Sequence, residues 1–171
     1  MNAQLAALAD VAAAFDVAGI DHWLFGGWAV DLHAGRVTRE HDDIDIAVWL
    51  ADMPRIESLL DACGWADLLD PDADGGKAFG RDGVRLELTY LYRDDDGEIY
   101  TPLLDGSRGR WTSETLADDV RELDGVRTRV VALAPLTRMK GRGRGDDPED
   151  AVKDQADYDA LRSLAENQTL S

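Results

Sequence analysis

The chain has 171 residues, enough for one domain with its own hydrophobic core and short of two. Its 18 lysines and arginines stand against 35 aspartates and glutamates, a formal charge of −17 at pH 7, which argues against blanketing nucleic-acid phosphates with cations and suits a cationic small molecule. Cys63 is the lone cysteine and no run is apolar enough for a signal peptide or a membrane span, so an intrachain disulfide and a Cys-rich zinc module are excluded and a reducing cytoplasm is expected.

Asn2 can cap a first helix whose apolar residues Leu5, Leu8, Val11, Ala12 and Phe15 recur at three and four positions, with Gly19 as its stop. Residues 23–25 read as a short buried strand broken by Gly26 and Gly27, and a helical pattern resumes over 28–33 up to Gly35. A polar loop over 36–42 leads into 43–49, where Ile44, Ile46 and Val48 alternate with Asp43, Asp45 and Ala47. Residues 53–62 predict a helix with Ile56, Leu59 and Leu60 inward, followed by a strand over 65–69 and an acidic turn over 70–76.

Residues 84–92 predict a second patterned strand, with Val84, Leu86, Leu88 and Tyr90 on one face and Arg85, Glu87 and Thr89 on the other. A turn at 94–97 passes into 99–104, residues 107–110 read as loop, and 127–133 reads as a late strand. Pro135 opens a short helix through Lys140, a glycine-arginine connection over 141–145 carries Arg142 and Arg144, and a last helix lies around 148–165. The expected architecture is α+β: a small mixed β-sheet flanked by helices, one domain over 1–171 with a C-terminal helical portion from about 135.

Two aspartates at i and i+2 on a strand point the same way, about 7 Å apart, close enough to share one divalent metal or bridge two. Asp43 and Asp45 meet that spacing, opposite an oily face. Gly26 and Gly27 allow close backbone approach, and the helix after them offers free N–H groups and a positive dipole end to a phosphate. Glu87 supplies a third carboxylate, able to complete a metal site or to take a proton from a hydroxyl. Arg39 is within reach of a phosphate oxygen bound at the same place, and Lys140 and Lys153 stand out because the chain has three lysines against fifteen arginines. Asp70, Asp72 and Asp74 copy the opening of a calcium loop, but its twelfth position is Arg81 where a glutamate is required, so calcium is rejected. His22, His33 and His41 lack a paired metal-ligand spacing and read as structural or surface residues.

Residues 23–49, WLFGGWAVDLHAGRVTREHDDIDIAVW, resemble the antibiotic nucleotidyltransferases of the DNA polymerase β superfamily. The likeness is to the lincosamide and aminoglycoside 2'' groups, whose hallmark is a GGW helix followed by an R-x-H-x-DID strand. Weaker likeness continues through DGVRLELTYLYRDDDGEI and the LTRMKG and PEDAVKDQADYDAL segments. The resemblance implies a nucleotidyltransferase fold that binds ATP with magnesium, two ions in number, and moves AMP to a substrate hydroxyl. It implies that Gly26 and Gly27 face the phosphates, that Asp43 and Asp45 hold magnesium, and that Lys140 touches the triphosphate. Glu87 stands where these families usually place an aspartate, and the extra methylene leaves open whether it acts as base or as metal ligand.

A small cationic antibiotic is the implied acceptor. An acidic cleft around Asp31, Asp42, Glu87 and Glu98 would attract it, with Trp111, Tyr90, Tyr92 and Tyr100 as aromatic walls. The REHDDIDI and RDDDGEI spellings favour a lincosamide over an aminoglycoside. The rival readings are a nucleotidyltransferase toxin or regulator that modifies RNA or protein, and a non-catalytic binding module. The charge counts against RNA, and three retained like charges count against a dead site.

Overall fold

The first helix, α1 (Ala3–Ala18), starts where the Asn2 side chain accepts a hydrogen bond from the Gln4 N–H at 2.8 Å. It ends where Gly19 turns left-handed at φ 68°. A computed structural model describes residues 2–142 and 147–170. After α1 come β1 (His22–Phe25), α2 (Gly26–Ala34), β2 (Ile44–Trp49), α3 (Met53–Ala62), β3 (Ala66–Asp67), β4 (Gly76–Arg81) and β5 (Val84–Arg93). The chain continues through β6 (Ile99–Pro102), β7 (Arg108–Trp111), β8 (Asp119–Leu123), β9 (Val126–Val130), α4 (Leu133–Gly141) and α5 (Pro148–Thr169).

The strands form a mixed sheet in the order β3-β4-β5-β2-β1-β9-β8, with β6 on β5 and β7 on β6. β2 pairs parallel with β5 and antiparallel with β1, and β9 joins β1 in parallel. Ile44, Ile46, Val48, Leu86 and Leu88 are all buried in one core with Leu5, Leu8, Phe15 and Ile56. That leaves the alternate positions Asp45 and Glu87 on the opposite face of the sheet. The α+β architecture with flanking helices is as the sequence predicts.

Several local readings change. Residues 76–81, 108–111 and 119–123 are strands where the sequence showed turn, loop or no pattern. Two of them belong to tight hairpins with Asp82-Gly83 and Asp124-Gly125 at their tips, all four residues at positive φ. That geometry is the two-residue turn favoured by Asp-Gly. Within β5 the inward alternation slips, since Leu91 is buried and Tyr90 only half-buried. The slip coincides with the change of partner, β5 leaving β2 after Leu91 and pairing with β6 from Tyr92. Among the described residues no helix is long and apolar enough to cross a membrane.

Candidate active site

Three chain segments converge at the ends of β1, β2 and β5. Phe25 is the register partner of Asp45, and Asp45 is the register partner of Glu87. Asp43 lies one residue before β2 rather than within it, yet it remains two positions from Asp45 and joins the same group. Asp43, Asp45 and Glu87, all half-buried, each offer a carboxylate oxygen within 4.8 Å of the others. Three hard oxygen ligands so close repel one another unless a cation sits among them, which is the donor chemistry that magnesium takes.

The glycine pair makes the close packing possible. Gly26 is the first residue of α2 at φ 67°, and a Cβ there would collide with Asp45 Oδ2. A Cβ on Gly27 would strike His41 and Arg39. The first turn of α2 therefore packs directly against Asp45, and a helix N-terminus is where an anion is favoured.

Gly27, Asp43 and Asp45 line one cavity with Arg39, His41, Asp42, Asp150, Lys140 and Lys153. Glu87 lines another with Asp70, Asp72, Asp74, Lys77, Arg85 and Thr89. Asp43 and Asp45 therefore face a cavity that holds Arg39, Lys140 and Lys153 beside Asp42 and Asp150, and Glu87 faces a cleft that holds Asp70, Asp72 and Asp74 beside Lys77 and Arg85.

The expected phosphate ligands are already engaged with α5. Arg39 bonds to both carboxylate oxygens of Asp157 and donates to the Glu40 carbonyl. Lys140 is buried against Asp154 and Asp157, while Lys153 pairs with Asp42, drawing that carboxyl below its usual range and the lysine above its own.

Other expectations are corrected. Asp31 is fully buried and lines no cleft, because its carboxylate takes His41 Nε2 at 2.6 Å and the Thr38 N–H and hydroxyl. Glu98 sits in the β6–β7 hairpin region against Arg108 and Arg110. Trp111 packs edge-on against Phe25 and donates to Thr101, a structural use, whereas Tyr92 and Tyr100 form an edge-to-face pair with Tyr92 exposed. Arg142 lines a groove with Arg138 and Tyr158 away from the triad, and Arg144 lies outside the described residues.

Three residues with no site role legible in the sequence belong here. His41 packs at a tilt against Trp28, ring centroids 4.6 Å apart, and turns a buried, unpartnered Nδ1 toward Gly27. Arg85 ties Glu87 to Asp70, donating from Nε to Glu87 Oε1 at 2.7 Å. Asp157 gathers Arg39 and Lys140. The spacing of Asp154, Asp157 and Leu161 at i, i+3 and i+7 is a sequence signal that marks Asp157 as facing inward with them.

A mixed sheet with a double-glycine helix turn and a carboxylate triad on neighbouring strands defines a protein of nucleotidyltransferase fold. The solved lincosamide antibiotic adenylyltransferase LnuA, lincomycin-bound, has a similar fold with a TM-score of 0.72 at 19% identity, covering 96% of this chain and 98% of that one. ANT(2'')-Ia in complex with adenylyl-2''-tobramycin gives 0.66 at 20%, covering 99% and 94%. The sequence is more specific than the fold: the family described as aminoglycoside-2''-adenylyltransferase matches residues 7–160, and the chain belongs to that family. A 2''-aminoglycoside nucleotidyltransferase of Klebsiella pneumoniae is 36% identical over 111 residues, 65% of this chain. The match spans about half of that relative's length, 51%.

Proposed function

We propose that the chain, working as one domain over residues 1–171, transfers AMP from ATP to a hydroxyl of a small cationic antibiotic, with magnesium as its metal. The observation that carries this reading is the Asp43–Asp45–Glu87 cluster beside a cavity lined by Gly27, Arg39, Lys140 and Lys153. Asp43 and Asp45 would hold two magnesium ions, which when bound neutralise charge on the transferred group, with the Glu87 carboxylate beside them. The α2 N-terminus at Gly26 and Gly27, with Arg39 and Lys140, binds and orients the triphosphate. Glu87 faces the acceptor cleft, so its carboxylate is the group that takes the proton from the attacking hydroxyl. We take the compartment to be the cytoplasm, where ATP is supplied.

For the acceptor, family membership and the curated relative favour an aminoglycoside over the lincosamide that the motif spelling suggests. The cleft supports that order, since its four carboxylates outnumber Lys77 and Arg85 and, with Asp70 and Glu87 held by Arg85, Asp72 and Asp74 are left to meet ammonium groups. The exposed Tyr92 ring, backed edge-on by Tyr100, keeps a lincosamide as the second reading, because an exposed aromatic surface suits its apolar part.

The test is pyrophosphate release from ATP and magnesium with several aminoglycosides, lincomycin and clindamycin, run beside an Asp45→Asn control. Turnover with an aminoglycoside that the control lacks is the expected result. Turnover with a lincosamide alone reverses the acceptor order, and silence with every antibiotic rejects the reading.

A further inference from the structure

Arg39 and Lys140 reach the nucleotide cavity from different parts of the chain and meet on one carboxylate. Arg39 Nε and Nη2 donate to the two oxygens of Asp157, each at 2.9 Å, and Lys140 Nζ lies 2.9 Å from Asp157 Oδ2. The Asp157 side chain is 1% exposed. It sits on α5, whose buried residues are Asp154, Asp157 and Leu161, so this helix docks on α2 and α4 with carboxylates in place of much of an apolar face. Burial opposes ionisation of Asp157, yet Arg39 and Lys140 outweigh it and hold the carboxyl below its usual range. A buried charge is costly unless it is paired and hydrogen-bonded, and here both cations that pair with it line the cavity of Gly27, Asp43 and Asp45.

We propose that Asp157 is a positioning residue for the nucleotide, locking Arg39 and Lys140 side by side so that both face a triphosphate bound at Gly26 and Gly27. The inference rests on the nucleotidyltransferase reading. A bidentate grip fixes the plane of the guanidinium, which a lone cation on a flexible stem lacks. Because the grip is carried by α5, the two cations are aligned only when this helix is docked on α2 and α4.

The experiment is calorimetric titration of the full chain with a non-hydrolysable ATP analogue and magnesium, paired with KM values for ATP and for the acceptor. Asp157→Asn weakens analogue binding by roughly ten- to a hundredfold, the scale on which misalignment at a reacting site is felt. It raises the KM for ATP in step and leaves the acceptor KM unchanged. Asp157→Glu keeps the charge, moves it by a methylene and shows a smaller loss of the same kind; it decides the matter where the asparagine variant does not fold. Parent-like analogue affinity in the folded Asp157→Asn chain, or in Asp157→Glu where that alone folds, overturns the proposal. So does an equal rise of both KM values with a lowered thermal midpoint, the mark of a merely structural role. A parent chain that does not bind the analogue overturns the nucleotidyltransferase reading itself and the positioning role with it.

Discussion

Asp45 and Glu87 are direct register partners on the parallel strands β2 and β5, and Phe25 on β1 faces Asp45 from the other side. Parallel pairing needs a crossover between the two strands. Here α3 and the β3–β4 hairpin supply it, and the residues that close the carboxylate triad come from opposite ends of that excursion.

Asp43→Asn and Asp45→Asn each reduce nucleotidyl transfer by about 10³-fold or more, roughly 4 kcal/mol of transition-state stabilisation at about 1.36 kcal/mol per decade. Folding is retained, because both carboxylates lie off the Ile44, Ile46 and Val48 core and their removal relieves like-charge repulsion. Pyrophosphate release and the thermal midpoint, measured on the same samples, check both halves.

Glu87→Gln lowers the chemical rate by about 10² to 10⁴-fold, the usual contribution of a general base. ATP affinity stays near the parent value, and Arg85, which now meets a neutral amide, keeps Asp70 as its second partner. Single-turnover rates set beside ATP binding test this. A matching loss of ATP–magnesium binding would make Glu87 chiefly a metal ligand.

Gly26→Ala loses stability and activity together. A left-handed φ of 67° costs a non-glycine residue about 1 to 2 kcal/mol, and the added Cβ must displace the Asp45 carboxylate it overlaps. Gly19→Ala, also at positive φ but with open space around it, serves as the comparison. It loses stability alone, as read by urea unfolding and initial rates.

Stability falls on acidification below neutrality. Burial holds His22 and His33 below the ordinary value of 6.5, against the pull of their backbone carbonyl partners Ile20 and Val131. The unfolded chain therefore takes up protons first as the pH drops. The stability is full above about 6.5 and is lost progressively below it, until the folded histidines titrate as well. Thermal midpoints between pH 7.5 and about 5 should decline, and His22→Gln should flatten the slope.

The sequence by itself determined what is local. Asn2 and Gly19 bound α1, the two glycines break the chain between β1 and α2, and the alternation of 44–48 and 84–88 tells core from site face. These follow from side-chain period, caps and backbone freedom over a few residues. The Asp-Gly tips at 82–83 and 124–125 are legible signs of hairpins, but β4 is interrupted by Gly76 and Gly80 and β8 by Asp119, Arg121 and Glu122, so neither shows a clean apolar alternation.

Only the tertiary structure decided which charges face the site and which face each other. Asp31 resembles a cleft residue in sequence but is consumed by His41 and Thr38, and Glu87 reaches Asp45 through strand register set by a distant crossover. The pairing of Arg39 with Asp157 joins residues far apart in the chain, and no periodicity encodes it. Burial has to remove water before such a pair matters, and burial is a property of the assembled helices and sheet rather than of any one segment.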